Sequence, residues 1–167
     1  MKDLLSKLII DYPKISFKLG KNFSWSPSDQ TVFYTSSISN SKTAEWSLLH
    51  ELGHANLNHN TYSTDIELVK LECDAWEKAK QISHKYGYEI DEDHIQDCID
   101  TYRDWLHQRS ACPNCEAHCI QKDSSTYNCF NCGQSWGVTS SRFCRPYRLK
   151  KNPNKKSLQT SNPRATS

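Results

Sequence analysis

No stretch of this chain is long and apolar enough to cross a bilayer: its apolar runs fall well short of the ~18 residues that a spanning helix needs. No membrane span is therefore expected. The N-terminus also lacks the marks of a secretory leader. Leu4, Leu5, Leu8, Ile9 and Ile10 are interrupted by Asp3, Lys7 and Asp11, and no small-residue cleavage site follows them. These absences predict a cytoplasmic protein. That placement fixes how the eight cysteines are read, as thiols or metal ligands rather than disulfides. No internal repeat is present. Acidic residues are missing from residues 142–167, which carry eight Lys and Arg and a charge of +8. The 141 residues before them hold 13 basic and 19 acidic side chains, a charge of −6. A length of 167 residues suits one compact domain with a small appendage.

What is present is a short chemical motif. Trp46-Ser-Leu-Leu-His50-Glu51-Leu-Gly-His54-Ala-Asn-Leu57 contains H-E-x-x-H within a predicted helix from Lys42 to Asn58, with Ser41 as its N-cap. Residues four apart share one helical face, so both imidazoles can reach one zinc ion at ~2.0–2.1 Å. Glu51 lies beside them, where it can hold a water and act as general base. Leu48, Leu49, Leu52 and Leu57 bracket the motif and predict a largely buried helix, in which unpaired His and Glu would be costly.

The elements around the motif follow from periodicity and breakers. Residues 3–12 read as a helix ended by Pro13. Ile15–Phe17 reads as a strand, and 22–25 and 31–35 as two strands of a hairpin turning through Ser26–Gln30. A second helix begins at a capping box, Thr64 with Glu67, and runs to Lys85 before Gly87. A third runs from Asp91 to about Arg109, with Ile95, Cys98, Ile99, Tyr102, Trp105 and Leu106 as its apolar stripe. The expected fold is α+β.

A catalytic zinc needs a third protein ligand. The metzincin pattern requires Gly at 57 and His at 60, where this chain has Leu57 and Asn60. His59 is one residue out of register and reads as an exposed residue near the helix C-terminus. In the second helix Leu68, Val69, Ala75, Trp76, Ala79, Ile82 and Tyr86 form an apolar stripe, and Glu72 falls inside it while Asp74 and Glu77 lie off it. If the two helices form an antiparallel hairpin, His50 and Glu72 lie at nearly equal distances, about nine and eight residues, from the turn and so sit level at ~1.5 Å per residue. Glu72 is the predicted third ligand; the rival reading is a buried Glu hydrogen-bonded to a Trp or Tyr.

His50-Glu51-Leu52-Gly53-His54 followed by Glu72-x-Asp74-Ala75 resembles the ImmA/IrrE group of minimal gluzincin metallopeptidases, in which H-E-L-G-H is followed by E-x-E-A-N on the next helix. The resemblance covers about residues 30–80. It implies His50, His54 and Glu72 as zinc ligands, Glu51 as general base, and a small zincin-like fold with strands beside the active-site helix. It also implies limited proteolysis of a specific protein substrate, often a DNA-binding regulator. Trp76 stands where the family pattern has a small polar residue.

Downstream, Cys112-Pro-Asn-Cys115 and Cys129-Phe-Asn-Cys132-Gly133 form two C-x₂-C knuckles, the pattern of a four-thiolate structural zinc site. A redox-active C-x-x-C is the competing reading. His118, Cys119 and Cys144 are substitute ligands, and Cys73 and Cys98 read as small core residues. The module resembles a zinc ribbon. Arg142, Arg145, Arg148, Lys150 and Lys151 follow it, with Trp136, Phe143 and Tyr147 nearby, a mixture suited to nucleic acid or equally to a solvated tail. A metallopeptidase followed by a ribbon also resembles SprT-like proteins, which act on DNA-bound proteins and take a histidine as third ligand. The organisation expected is a metallopeptidase domain over 1–110, a ribbon over 111–145 and a disordered basic tail over 146–167, with one catalytic and one structural zinc. The alternative is a non-catalytic ribbon adaptor binding nucleic acid or protein.

Overall fold

Leu4 and Leu8, one helical turn apart, are both fully buried, and the segment carrying them forms the first helix, α1 (Lys2–Asp11). In a computed structural model, which describes residues 2–36, 41–139 and 149–150, an α+β architecture of four helices and two small sheets follows from that start. The chain divides into two compact units, Met1–His107 and Gln108–Ser167.

In the first unit α1 is followed by β1 (Ser16–Leu19), β2 (Ser24–Ser26) and β3 (Thr31–Tyr34). β2 and β3 form the expected antiparallel hairpin, with Trp25 opposite Val32. β1 begins one residue later than its sequence pattern suggests and pairs in parallel with β3, Phe17 opposite Val32, so the sheet order is β1-β3-β2. Val32 on the central strand is fully buried, which is why the sheet can seat a helix.

That helix is α2 (Lys42–Asn56), which carries the motif. Leu48, Leu49 and Leu52 are fully buried, worth roughly 1.5–3 kcal/mol each. Leu57, expected among them, is 39% exposed because the helix ends at Asn56 rather than Asn58. Ser41 enters the helix with extended backbone, but its side chain makes no capping bond.

The next helix, α3 (Asp65–Lys85), starts as its capping signal requires. The Thr64 hydroxyl accepts from Glu67 N–H at 3.3 Å, while the Glu67 carboxylate accepts from Ser63 N–H at 2.6 Å, one residue earlier than in the usual reciprocal box. Gly87, at φ +74°, supplies the left-handed residue after the helix. α2 and α3 pack closely because Gly53 has no side chain: a Cβ there would collide with the backbone carbonyl of Ala75. The glycine between the two histidines is thus a packing requirement that lets α3 approach the motif. α4 (Glu92–Ser110) completes the helical set, with Ile95 and Ile99 in the core.

The last residues of α4 belong to the second unit, where Arg109 is buried and donates to the Thr139 carbonyl at 2.6 Å. Four short strands follow, β4 (Gln121–Asp123), β5 (Thr126–Asn128), β6 (Ser135–Gly137) and β7 (Leu149–Lys150), in an antiparallel sheet of that order. Tyr127 and Trp136 stack at 5.3 Å between nearly parallel rings and form its small core with Val138 and the cysteines. No helix among the described residues is long and apolar enough to cross a membrane.

Candidate functional site

His50 and His54 lie one turn apart on the buried side of α2, and Glu72 lies on the facing side of α3, as the stripe and the level match anticipate. His50 Nε2 is 3.1 Å from Glu72 Oε2, His54 Nε2 is 3.6 Å from the same oxygen, and the two Nε2 atoms are 3.1 Å apart. Three donor atoms thus converge on one point. Ligands held at 2.0–2.1 Å around a tetrahedral zinc would be separated by ~3.3 Å, so the triangle has the size of one tetrahedral face. Glu72 is only 4% exposed. An ionised carboxylate taken that far from water costs several kcal/mol unless paired or ligating. Burial alone would raise its carboxyl, but the hydrogen bond from His50 and the closeness of the His54 imidazole outweigh burial and hold it well below the usual carboxylate range. The residues present therefore fit a divalent cation: two imidazoles and one anionic oxygen.

Each imidazole is oriented by a different device. The His50 ring stacks on the indole of Trp76 at 4.3 Å, and His50 Nδ1 is buried with no hydrogen-bond partner among the described residues. Trp76, at the position where the ImmA/IrrE pattern has a small polar residue, thus fixes the ring by its face instead of by a hydrogen bond. His54 is met by His59, whose Nδ1 is 2.8 Å from His54 Nδ1. This corrects the expectation that His59 is an exposed helix-end residue. It is half-buried, and burial followed by the neighbouring His54 charge push its imidazole below the ordinary value. The sequence carried a faint signal for this turn in Asn58, a residue type that tolerates left-handed backbone and does so here at φ +53°.

Glu51 is not one of the three converging groups. It lines a cavity of about 260 Å³ together with His50 and Glu72, whose other walls include Phe23, Trp76 and Tyr102. Cys98, expected as a small core residue, is half-buried and also lines this cavity, and Cys73 is half-buried against the core. Asp74 is exposed, and Glu67 is engaged at the helix cap. The third group is thus a carboxylate, which differs from the histidine of the SprT-like pattern.

The four knuckle cysteines also converge. Cys112 Sγ lies 3.6 Å from Cys132 Sγ and Cys115 Sγ 3.5 Å from Cys129 Sγ, with all four sulfurs within 4.8 Å of one another. Thiolates held at 2.3 Å around a tetrahedral zinc would be ~3.8 Å apart. The knuckles are closed by equivalent turns, Glu116 N–H to Cys112 O and Gly133 N–H to Cys129 O, both at 2.9 Å and both with left-handed backbone at Glu116 and Gly133. The Glu116 conformation costs about 1–2 kcal/mol for a residue with a side chain, and the sequence flagged only the glycine. Hydrogen bonds from Asn114 and from the Gln134 backbone draw the Cys132 thiol down to about 6, whereas burial pushes Cys112 up to about 11. Four cysteine sulfurs within 4.8 Å of one another are placed to share a single cation. The arrangement is consistent with a zinc ribbon. Neither substitute ligand within the described residues joins it: His118 Nδ1 bonds the Ser110 hydroxyl, and Cys119 donates to the Ala117 carbonyl.

The basic set is not assembled into a described surface. Arg142, Arg145, Arg148 and Lys151 lie outside the described residues, as do Phe143, Cys144, Tyr147 and the 151–167 part of the tail, while Lys150 is placed by its backbone alone, opposite Trp136. Trp136 is a correction. Instead of a stacking surface it is fully buried, and its Nε1–H donates to Arg109 O at 2.9 Å. A scan against protein-family models, a search of curated proteins and a search of solved structures each found no match to this chain.

Proposed function

We propose that the protein is a zinc-dependent metallopeptidase with a zincin-like catalytic domain of the ImmA/IrrE type. His50, His54 and Glu72 hold the catalytic zinc, and Cys112, Cys115, Cys129 and Cys132 hold a structural zinc. The observation that carries the reading is the convergence of two imidazole nitrogens and one buried carboxylate oxygen, with Glu51 beside them on a cavity wall. Glu51 is the residue a structural site would not need. When bound, zinc supplies positive charge that polarises a peptide carbonyl and stabilises the negative charge of the transition state.

The chain's own residues do the rest. Glu51 takes the proton from the attacking water and returns it to the departing amine, as a general base and then a general acid. Phe23, Trp76 and Tyr102 give the cavity apolar walls that restrict water. The substrate is a specific cytoplasmic protein, with a DNA-binding regulator the leading candidate. The basic segment from Arg142 to Lys151 would bring the protease to nucleic acid; its support is the +8 charge of residues 142–167.

The test is metal removal. The full chain, zinc-loaded, is incubated with a random peptide library and the products are read by mass spectrometry. New termini should appear, vanish after chelation and return when zinc is restored. Absence of cleavage by the zinc-loaded chain, or cleavage unaffected by chelation, would contradict the assignment.

A further inference from the structure

The His54–His59 pair lies at the end of a chain of contacts that the sheet begins. Trp25, on the edge strand β2, donates its Nε1–H to the backbone carbonyl of His59 at 2.8 Å. Asn58 takes left-handed backbone, which reverses the chain at the end of α2, and His59 N–H returns to the His54 carbonyl at 3.0 Å. The His59 ring is thereby carried back over the helix, edge-on to the His54 ring with centroids 5.0 Å apart, and the two Nδ1 atoms meet at 2.8 Å. The backbone of His59 is held from two sides before its side chain acts.

We propose that His59 is a positioning residue for the metal site, the group that fixes the tautomer and ring angle of His54. The proposal rests on the metal-site reading above and adds to it a residue outside the H-E-x-x-H and Glu72 set. His54 turns Nε2 toward His50 and Glu72, so a neutral His54 that ligates through Nε2 carries its hydrogen on Nδ1. That hydrogen points at His59 Nδ1, whose lone pair accepts it. Metal-bound histidines ordinarily donate the second ring nitrogen to a carboxylate, a carbonyl or water, and loss of such a partner costs about 10–100-fold in metal affinity. Here the acceptor is another imidazole, and Trp25 couples its placement to the sheet.

The experiment compares zinc affinity of the full chain with three variants by competition against a chromophoric chelator. Cobalt loading separates the two sites, because thiolate charge-transfer absorption belongs to the cysteine site alone. His59→Leu should weaken the His50/His54/Glu72 site about 10–100-fold and leave the cysteine site unchanged. His59→Asn should recover most of that loss, since its Oδ1 occupies the place of Nδ1 and accepts the same hydrogen. Trp25→Phe keeps the ring and removes the donor to His59, and should give an intermediate loss. Melting of the metal-free proteins serves as the control for folding, and His59→Asn should melt like wild type. Wild-type affinity in His59→Leu, or no recovery in His59→Asn, would overturn the positioning role. A wild-type chain that takes no metal at this site would overturn the metal-site reading itself.

Discussion

Glu51→Gln is expected to keep the fold and both metal ions while lowering peptide hydrolysis by ~10²–10⁴. The reason is positional. Glu51 belongs to H-E-x-x-H but not to the group of donor atoms formed by His50, His54 and Glu72, and it borders the same cavity. A glutamine fills the same volume and has no carboxylate to take a proton. Metal content measured beside turnover separates a lost base from a lost ligand. Full zinc with a large fall in turnover supports the role; undiminished turnover in the purified, zinc-loaded variant would remove Glu51 from the mechanism.

The second large effect concerns the cysteine unit. Cys112→Ser or Cys132→Ser should unfold residues 112–139 while the helical unit retains its own cooperative transition. The buried cluster of the second unit is Tyr127, Trp136, Val138 and three cysteines, far smaller than the cluster around Leu48, Leu49 and Leu52. So small a core does not offset the entropy of ordering its strands, and zinc bound there would supply the difference, on the order of 10–16 kcal/mol for structural zinc in small finger peptides. Cys119→Ser provides the contrast, since Cys119 is buried beside the site without joining the four sulfurs, and it should retain the metal. Calorimetry of the full chain should show one transition lost and one kept in the Cys112 and Cys132 variants. If either variant melts the whole chain as a single unit, the division of the metal sites between two units is wrong.

The parts of this molecule that were legible in the sequence are those set by local spacing. The four-residue spacing of His50 and His54 defines a helical face, the Thr64 and Glu67 pair defines a helix start, and an apolar stripe broken by one carboxylate identifies Glu72. Its distance from the helix turn places it level with His50. The C-x₂-C knuckles needed nothing beyond their spacing. What escaped depends on contacts between distant segments or on single backbone angles. The parallel pairing of β1 with β3 joins strands with β2 between them in sequence, and no local pattern encodes it. His59 has its role only because Asn58 turns the chain back and Trp25 holds the carbonyl. Trp76 reads as an ordinary stripe residue, and its stacking on His50 depends on how α3 lies against α2, which Gly53 allows. Arg109 has a side chain common at surfaces and Trp136 carries an indole N–H, and inside the fold Arg109 donates to the Thr139 carbonyl while Trp136 donates to the Arg109 carbonyl.

The central claim is that His50, His54 and Glu72 hold one metal ion, and a metal count on four proteins tests it most directly. Zinc per chain should be two in the wild type and fall to one in Glu72→Gln, where a neutral amide replaces the anionic ligand. It should stay at two in Asp74→Asn, because Asp74 is exposed, and in Glu67→Gln, because a glutamine can still serve the helix cap. A Glu72→Gln chain that keeps two zinc ions, while Asp74→Asn or Glu67→Gln loses one, would contradict the account and move the third ligand elsewhere.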